Sequence, residues 1–387
     1  LWAGLQHFHP RLDRRAWAGE LAPALAAAAA VPDQAGMQHL LRRLVARVGD
    51  GQARVAGPGL PPLMLPPIAC AWVEGRLLVE ARGAAARGVR VGDELLAVDG
   101  EPAGALLADE LLGTQGATSA RRQLFASKTM LFGAPGSRVA LRFQRPDGKT
   151  YAADLRRERT GRQLPRPPRP PRVERVAGGA WYVDLTRLAV SDWRKLRPLL
   201  AAAPGVVFDL RGPAGEGPWP QALGALTAKP LRTVRFFVPS PDRPDQADPP
   251  RAHVAYTIPA DPRPFAGRVA FLADARSLGD GELALALARE AGLGEIVGEP
   301  TAGTAGATTR LALPGGWEVR YTGVAAHRQD GTPLGPVLPT VAVAPTRAGV
   351  LAGRDEALER AIALVAGDGI KPKPKRRDRL AVSLGQP

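Results

Sequence analysis

The sequence predicts a multidomain fold of mixed α+β and α/β class, and three observations carry this prediction. Residues 1–48 place apolar residues at helical spacing, as in "MQHLLRRLVARV". Residues 61 to about 160 instead contain short strand-like runs that are separated by glycine and aspartate turns. Beyond residue 177, predicted strands alternate with predicted helices, which is typical of crossover units and a mostly parallel sheet.

These sequence patterns divide the chain into five parts. At 387 residues, the chain is longer than one domain of ordinary size. We predict an N-terminal helical segment at 1–57, a β domain at 58–160, a Pro/Arg linker at 161–176, an α/β core at 177–368 and a basic tail at 369–387. Pro10 and Pro32 should separate the N-terminal helices. The stretch around 106–133 should be a helical insertion in the β domain, and the linker should be extended and semi-rigid.

Composition restricts the partners. The formal charge is +15, but aromatic residues make up only 5% and do not interleave with the basic runs, so we expect no specific nucleic-acid ligand. A single cysteine, Cys70, allows no internal disulfide, and the scattered histidines lack neighbouring ligands at metal spacing. No run approaches the roughly 20 apolar residues of a membrane helix. We therefore expect no metal, no cofactor and no membrane span, whereas the sequence leaves the oligomeric state open.

The stretch "ARSLGDGE" at 275–282 opens onto the helical run "LALALARE". A turn of small residues before a helix is a common place for a nucleophile, because N–H groups at a helix N-terminus can hold an oxyanion. The apex of this turn is Gly279, Asp280 and Gly281, so the turn has the form of an active site without an attacking atom.

Ordered motifs give the chain a resemblance to the carboxyl-terminal processing (tail-specific) and tricorn-core family of serine peptidases. They run from "LWAGLQHFHP" and "GDGQARV" through "GVRVGDELLAVDG", "GVVFDLRG", "FLADARSLGDGE", "GEPTAGTAG", "LPGGWEVRYTG" and "DGTPLGPVLPTV" to "AGRDEALERAI". The resemblance implies a PDZ-like β domain, a ClpP/crotonase-like α/β core, a polypeptide ligand or substrate, and an extracytoplasmic location in a bacterium. The leader for such a location is not visible. From its residues alone, "GDELLAVDG" is also compatible with an ordinary β-hairpin.

The resemblance also implies where catalysis should reside. The family nucleophile lies three residues before the glutamate that corresponds to Glu282, which is Gly279 here. One branch of the family has a lysine base at the position of Thr304, and the other has a histidine at the position of Gln52. Glycine has no attacking atom, and glutamine and threonine are not bases near neutral pH. We therefore expect a proteolytically inactive, peptide-binding member whose oxyanion-forming N–H groups remain near Gly212 and Asp280.

Alternatives stay open at this point. Ser277 is the fallback nucleophile of an active serine endopeptidase, Asp280 with Glu282 or Glu299 is a possible carboxylate pair, and a base could come from one of three histidines, His7, His9 and His327. If the β domain captures peptides by strand addition, its edge should be residues 67–76, with Ile68, Cys70 and Trp72 facing the ligand.

Overall fold

The computed structural model of the chain describes residues 1–59, 62–212, 215, 217–238 and 253–366. The predicted basic tail at 369–387 lies outside the described residues. At the N-terminus, Pro10 and Pro32 lie between helices, and Asp13 and Asp33 cap the helices that follow them. The elements here are α1 (Trp2–Phe8), α2 (Arg14–Ala18), α3 (Leu21–Ala29), α4 (Gln34–Ala46) and β1 (Arg54–Ala56).

The middle region forms an antiparallel sheet with two helices. Its elements are β2 (Ile68–Val73), β3 (Arg76–Arg82), β4 (Glu94–Val98), β5 (Glu101–Pro102), α5 (Ala103–Gly113), α6 (Ser119–Thr129), β6 (Arg138–Gln144) and β7 (Thr150–Arg156). The strand order is β2-β3-β4-β6-β7, and β5 pairs with β4. The predicted helical insertion is two helices rather than one, because the chain turns extended at Thr114 and Thr118 then caps α6.

The predicted ligand-facing side chains of β2 belong to the interior of this region. Ile68 and Cys70 are each 1% exposed within its hydrophobic core, and Trp72 packs against the same core. The helix α6 packs against β2, which is the edge strand. Because Ile68 and Cys70 leave no exposed surface, the structure does not support the assignment of ligand contacts to them. The alternation of side chains along β2 predicted that Ile68, Cys70 and Trp72 share one face of the strand, but it could not predict whether that face is buried or exposed.

The segment predicted as a Pro/Arg linker is partly built into the core. Its end forms β8 (Val173–Arg175), which pairs antiparallel with β9 (Trp181–Asp184). Upstream, Arg169 Nη1 lies 3.1 Å from Oδ2 of Asp184, a carboxylate with no solvent exposure. Proline content predicted an extended chain, but it carried no signal for this docking.

The remaining elements build the α/β core. They are α7 (Val190–Leu200), β10 (Gly205–Asp209), α8 (Trp219–Gly224), β11 (Leu231–Arg232), β12 (Arg235–Phe237), β13 (His253–Val254), β14 (Thr257–Ile258), β15 (Arg268–Ala273), α9 (Asp280–Glu290), β16 (Glu295–Gly298), β17 (Thr308–Leu313), β18 (Trp317–Thr322), β19 (Ala325–His327), β20 (Val341–Ala342), α10 (Arg347–Ala352) and α11 (Glu356–Val365). The main sheet has the order β20-β16-β15-β10-β9-β8, and its pairs from β20 to β9 are parallel.

The sheet positions the candidate site. Helices α7, α8 and α9 pack in the large apolar cluster on one face of the main sheet, together with strand residues such as Phe208. Helix α11 packs in a second apolar cluster with strand residues of the opposite face, such as Val207. Strands β10 and β15 are parallel neighbours, so the loops after their carboxyl ends lie at the same edge of the sheet. The N-terminal segment reaches this region because β1 pairs with β18. In addition, apolar residues of the N-terminal helices pack on Val319 and Tyr321 of β18.

Candidate active site

The turn after β15 places Gly279 at the N-cap of α9. Its backbone angles are φ 57° and ψ −121°, a left-handed combination that strains any residue with a side chain. A strained strand-to-helix turn of this kind is how hydrolases expose a nucleophile. A Cβ atom built on Gly279 would meet no heavy atom within 4 Å. The backbone thus presents a side-chain position towards open space, and the position carries only hydrogen.

Only one of the two expected oxyanion donors is unoccupied. Asp280 is the first residue of α9, where N–H groups lack partners within the helix and point out of its positive end. The N–H of Gly212, in contrast, donates to Leu210 O at 2.9 Å. The helix start can therefore polarise a carbonyl, whereas the N–H of Gly212 is already bonded to a backbone carbonyl.

Glu282 fixes the start of α9 to the loop after β16. Its carboxylate has no solvent exposure and accepts the N–H groups of Gly303 and Thr304, each at 2.6 Å, and the hydroxyl of Thr301. Burial raises the pKa of Glu282, and these hydrogen bonds oppose the shift only in part. Because every side of the carboxylate is engaged, Glu282 holds the loop in place and does not form a catalytic pair with the exposed Asp280.

Gln52 and Thr304, the two positions where the resemblance implies a base, are in contact. Gln52 Nε2 donates to Thr304 O at 2.9 Å, to Gly306 O at 3.0 Å and to Thr322 Oγ1 at 3.2 Å. The loop that carries Thr304 is also the one bound by Glu282, one turn after Gly279. The structure therefore brings all three positions into one region, where the amide of Gln52 cross-links the surrounding backbone.

A buried His9–Asp50 pair lies behind Gln52. His9 Nε2 is 3.6 Å from Asp50 Oδ2, and both side chains are about 3% exposed. Burial alone would raise the pKa of Asp50, but the nearby His9 and hydrogen bonds from the N–H groups of Thr322 and Gln52 hold it below its usual value. His9 therefore supports the turn that carries Gln52.

The other alternative bases and acids lie in unsuitable places. His327 Nδ1 is 3.0 Å from Gly331 O in an exposed turn, and His7 belongs to α1. Glu299 follows β16, where burial and nearby Asp274 raise its pKa. The contact of His327 lies within its own turn, whereas Glu299 interacts electrostatically with Asp274 and Arg276, which precede Gly279 and pair with each other.

Ser277, the fallback nucleophile, is a structural residue. Its side chain has no solvent exposure, its Oγ donates to Leu210 O at 2.8 Å, and it accepts from Asp274 N–H at 3.2 Å. These two bonds tie the turn to the end of β10. The hydroxyl is therefore committed to the backbone and faces no base.

One cationic group beside this site was missed by the sequence reasoning. Arg121 of α6 is 4% exposed and donates through Nη1 to Ala275 O at 2.9 Å. Its aliphatic stem lies against Gly51, next to Gln52. The only sequence signal was the helical spacing of Arg121 and Phe125, and nothing local indicated that this face meets the turn at residue 275.

The described residues contain no group of three or more His, Cys, Asp or Glu side chains placed to hold a metal ion. No helix among them has the length and apolar content to cross a membrane.

Comparisons with known proteins agree with this architecture. Residues 182–343 match the family model of peptidase family S41. Mature CPAF superposes with a TM-score of 0.73 at 17% identity, over 95% of this chain and 97% of that one. Its complex with lactacystin gives 0.73 at 16%, over 94% and 96%, and a structure from Parabacteroides merdae gives 0.56 at 15%, over 95% of each chain. None of the curated protein sequences matches significantly.

The fold and the site together define an α/β core with a nucleophile-type turn and no nucleophile. The structural likenesses, all under a fifth in identity, show the fold alone. The matched segment, residues 182–343, is similar to peptidase family S41, in agreement with the motifs by which the chain resembles the tail-specific serine peptidases.

Proposed function

We propose that this chain is an S41-type protein that binds extended peptides and does not cleave them by the serine mechanism of its family. The observation that carries the proposal is Gly279. Its backbone has the strained geometry of a nucleophile turn and open space at the Cβ position, yet it supplies no attacking atom. An unreactive residue in a reactive geometry favours binding without acyl transfer.

The environment of Gln52 supports the same proposal. A general base must have a free lone pair within reach of the nucleophile's proton. The nitrogen of Gln52 is engaged as a donor to two carbonyl groups and a hydroxyl. Thr304, the position of a lysine base in one branch of the family, offers no base either. The proton-handling groups of both branches are thus absent here.

The middle region is proposed to be the PDZ-like domain that the resemblance implies, with boundaries near 58 and 160. Its five-stranded antiparallel order, with α5 and α6 against the sheet, is compatible with that assignment. Capture of peptide C-termini is the second form of the binding proposal, and the burial of Ile68 and Cys70 disfavours it. We also propose the extracytoplasmic, bacterial location that the family implies.

The competing function is an active serine endopeptidase that uses Ser277, and one experiment separates the two. The purified chain is treated with a fluorophosphonate probe and, in parallel, with unstructured fluorogenic peptides. We expect no labelling at any serine and no hydrolysis above the buffer rate, because the serine of the turn, Ser277, donates to a backbone carbonyl. Stoichiometric labelling that is lost in Ser277→Ala would overturn the proposal, and Ser191→Ala, which removes a surface serine of α7, is the matched control.

A further inference from the structure

Helix α6 presents a basic and aromatic face beside the turn at 274–279. Arg121, Phe125 and Lys128 follow one another at helical spacing, so they share one face of the helix. Arg121 reaches Ala275 O through Nη1, while its Nε is buried without a hydrogen-bond partner. A buried donor without a partner is uncommon in proteins and indicates that something else completes the site.

A second arginine approaches the same ring from β1. The guanidinium carbon of Arg54 lies 4.8 Å from the centroid of Phe125, and that of Arg121 lies 4.2 Å from it. Arg54 is exposed, Phe125 is half-buried and Arg121 is 4% exposed. The Arg54–Phe125–Arg121 cluster therefore runs from solvent to a buried end beside the candidate site.

Among the described residues, no carboxylate forms a salt bridge with Arg54 or Arg121, although the charge of Asp50 acts on Arg54 and those of Glu282 and Asp274 act on Arg121. The acids nearest to Arg121 are engaged elsewhere: Glu282 accepts backbone N–H groups, and Asp274 is paired with Arg276. Burial, and then the charge of Arg54, lower the pKa of Arg121 to about 10. A buried cation without a partner is costly, so an incoming anion would be favoured at this position.

We infer that the candidate site selects acidic peptides, with Arg54 and Arg121 as the pair that binds a Glu or Asp side chain of the ligand. Guanidinium groups bind carboxylates through parallel hydrogen bonds, and a ring packed beneath them restricts their motion. The inference rests on the proposed peptide-binding function and names its ligand class. Nucleic acid is disfavoured because two guanidinium groups already lie over the Phe125 ring, where they would compete with a stacking base.

The test uses the full chain and four fluorescent probes. Three are blocked peptides of about ten residues, in which alanine alternates with glutamate, glutamine or lysine, and the fourth is a single-stranded oligothymidine of similar length. Blocking both termini removes any contribution from a terminal carboxylate. Anisotropy titrations near physiological salt should show the glutamate peptide binding about tenfold tighter than the glutamine peptide.

Variants locate the effect. Arg54→Gln with Arg121→Gln should abolish the preference for glutamate, whereas Arg194→Gln with Arg263→Gln, which removes two exposed charges from α7 and the loop at 259–263, should leave it intact. Should the buried substitution unfold the chain, exposed Arg54→Gln alone should still reduce the preference by about threefold or more. A thermal melt by circular dichroism checks each fold.

The outcomes separate the two proposals. Equal binding of the glutamate and glutamine peptides, an equal loss in the control pair, or tighter binding of oligothymidine would each overturn the acidic selectivity while leaving peptide binding in place. Absence of binding by all three peptides would overturn the proposed function and this inference with it.

Discussion

At the scale of single residues, the candidate site has the backbone of a strained strand-to-helix turn with glycine at its apex. Gly279 keeps the strained turn, Asp280 starts the helix, and Glu282 holds the facing loop. Electrostatic stabilisation by fixed N–H groups is often the largest part of catalysis, and it does not depend on a nucleophile. The site should therefore regain activity when the reactive side chains are returned.

We expect Gly279→Ser with Gln52→His to create measurable hydrolysis of unstructured peptides. Serine at Gly279 has space but adopts a strained backbone, so the chain should lose roughly 1–3 kcal/mol of stability. Each single variant should remain near the buffer rate, because nucleophile and base act as a unit. Hydrolysis of fluorogenic peptides and fluorophosphonate labelling at residue 279 measure the effect.

The matched control for this restoration is Gly292→Ser with Gln52→His. Gly292 lies beyond the other end of α9 with φ 62° and, like Gly279, has no heavy atom within 4 Å of a built Cβ. It therefore places serine at another glycine of positive φ without a hydroxyl at the site. Equal hydrolysis by the two double variants would mean that the activity does not arise at residue 279.

At the scale of elements, the sequence predicted most strands and helices of the core. Apolar runs bounded by Gly and Pro gave β9, β10, β15 and β16, because buried parallel strands leave a continuous apolar signal. The predicted helix at 282–291 begins at Asp280, since the acids of the first turn belong to the helix. Apolar patterns do not predict contacts between distant elements. Gln52 and Thr304 were assigned to the site only through the family resemblance, and the position of Arg121 beside the site was not predicted.

One such distant contact joins the end of β10 to the start of α11. Arg211, which is 6% exposed, donates from Nη1 and Nη2 to the two carboxylate oxygens of Asp355 at 2.8 and 2.7 Å. Asp355 also caps α11 by accepting Leu358 N–H at 3.1 Å. The aspartate therefore ties a helix N-terminus to the edge of the sheet where the candidate site lies.

We predict that Asp355→Ala lowers the free energy of unfolding by roughly 2–4 kcal/mol, because it removes a cap and one partner of a buried guanidinium. Arg211 keeps Asp209 as a second partner, which limits the loss. The control is Asp33→Ala, which removes only the cap of α4, where Asp33 accepts Gly36 N–H at 2.7 Å, and should cost about 1 kcal/mol. Urea unfolding measures both, and equal losses would mean that the bond to Arg211 contributes nothing.

At the scale of the whole molecule, the candidate site is assembled from three distant parts of the chain. The N-terminal segment supplies Gln52 and Arg54, the middle region supplies Arg121, and the core supplies the turn at Gly279. Composition and periodicity could indicate these parts but not how they meet, because assembly depends on side-chain contacts between residues 71 to 252 positions apart in the sequence.

We predict that the full chain does not distinguish the free acid from the amide of a peptide with an apolar C-terminus by more than about twofold. A PDZ-like site needs an open strand edge, backbone N–H groups for the carboxylate and a pocket for the last side chain. Here α6 packs against β2, and Ile68 and Cys70 have no exposed surface to form that pocket.

Titrations of the matched acid and amide peptides at low and high salt measure this preference, since the net charge of +15 attracts any anion at low salt. Loss of a seated carboxylate removes charge-assisted hydrogen bonds of roughly 1.5–3 kcal/mol, which is about ten- to a hundredfold in affinity. A preference of that size that persists at high salt would establish C-terminal capture by the middle region. It would also require α6 to move away from β2, which amide hydrogen exchange of residues 68–73 with and without the acid peptide would detect.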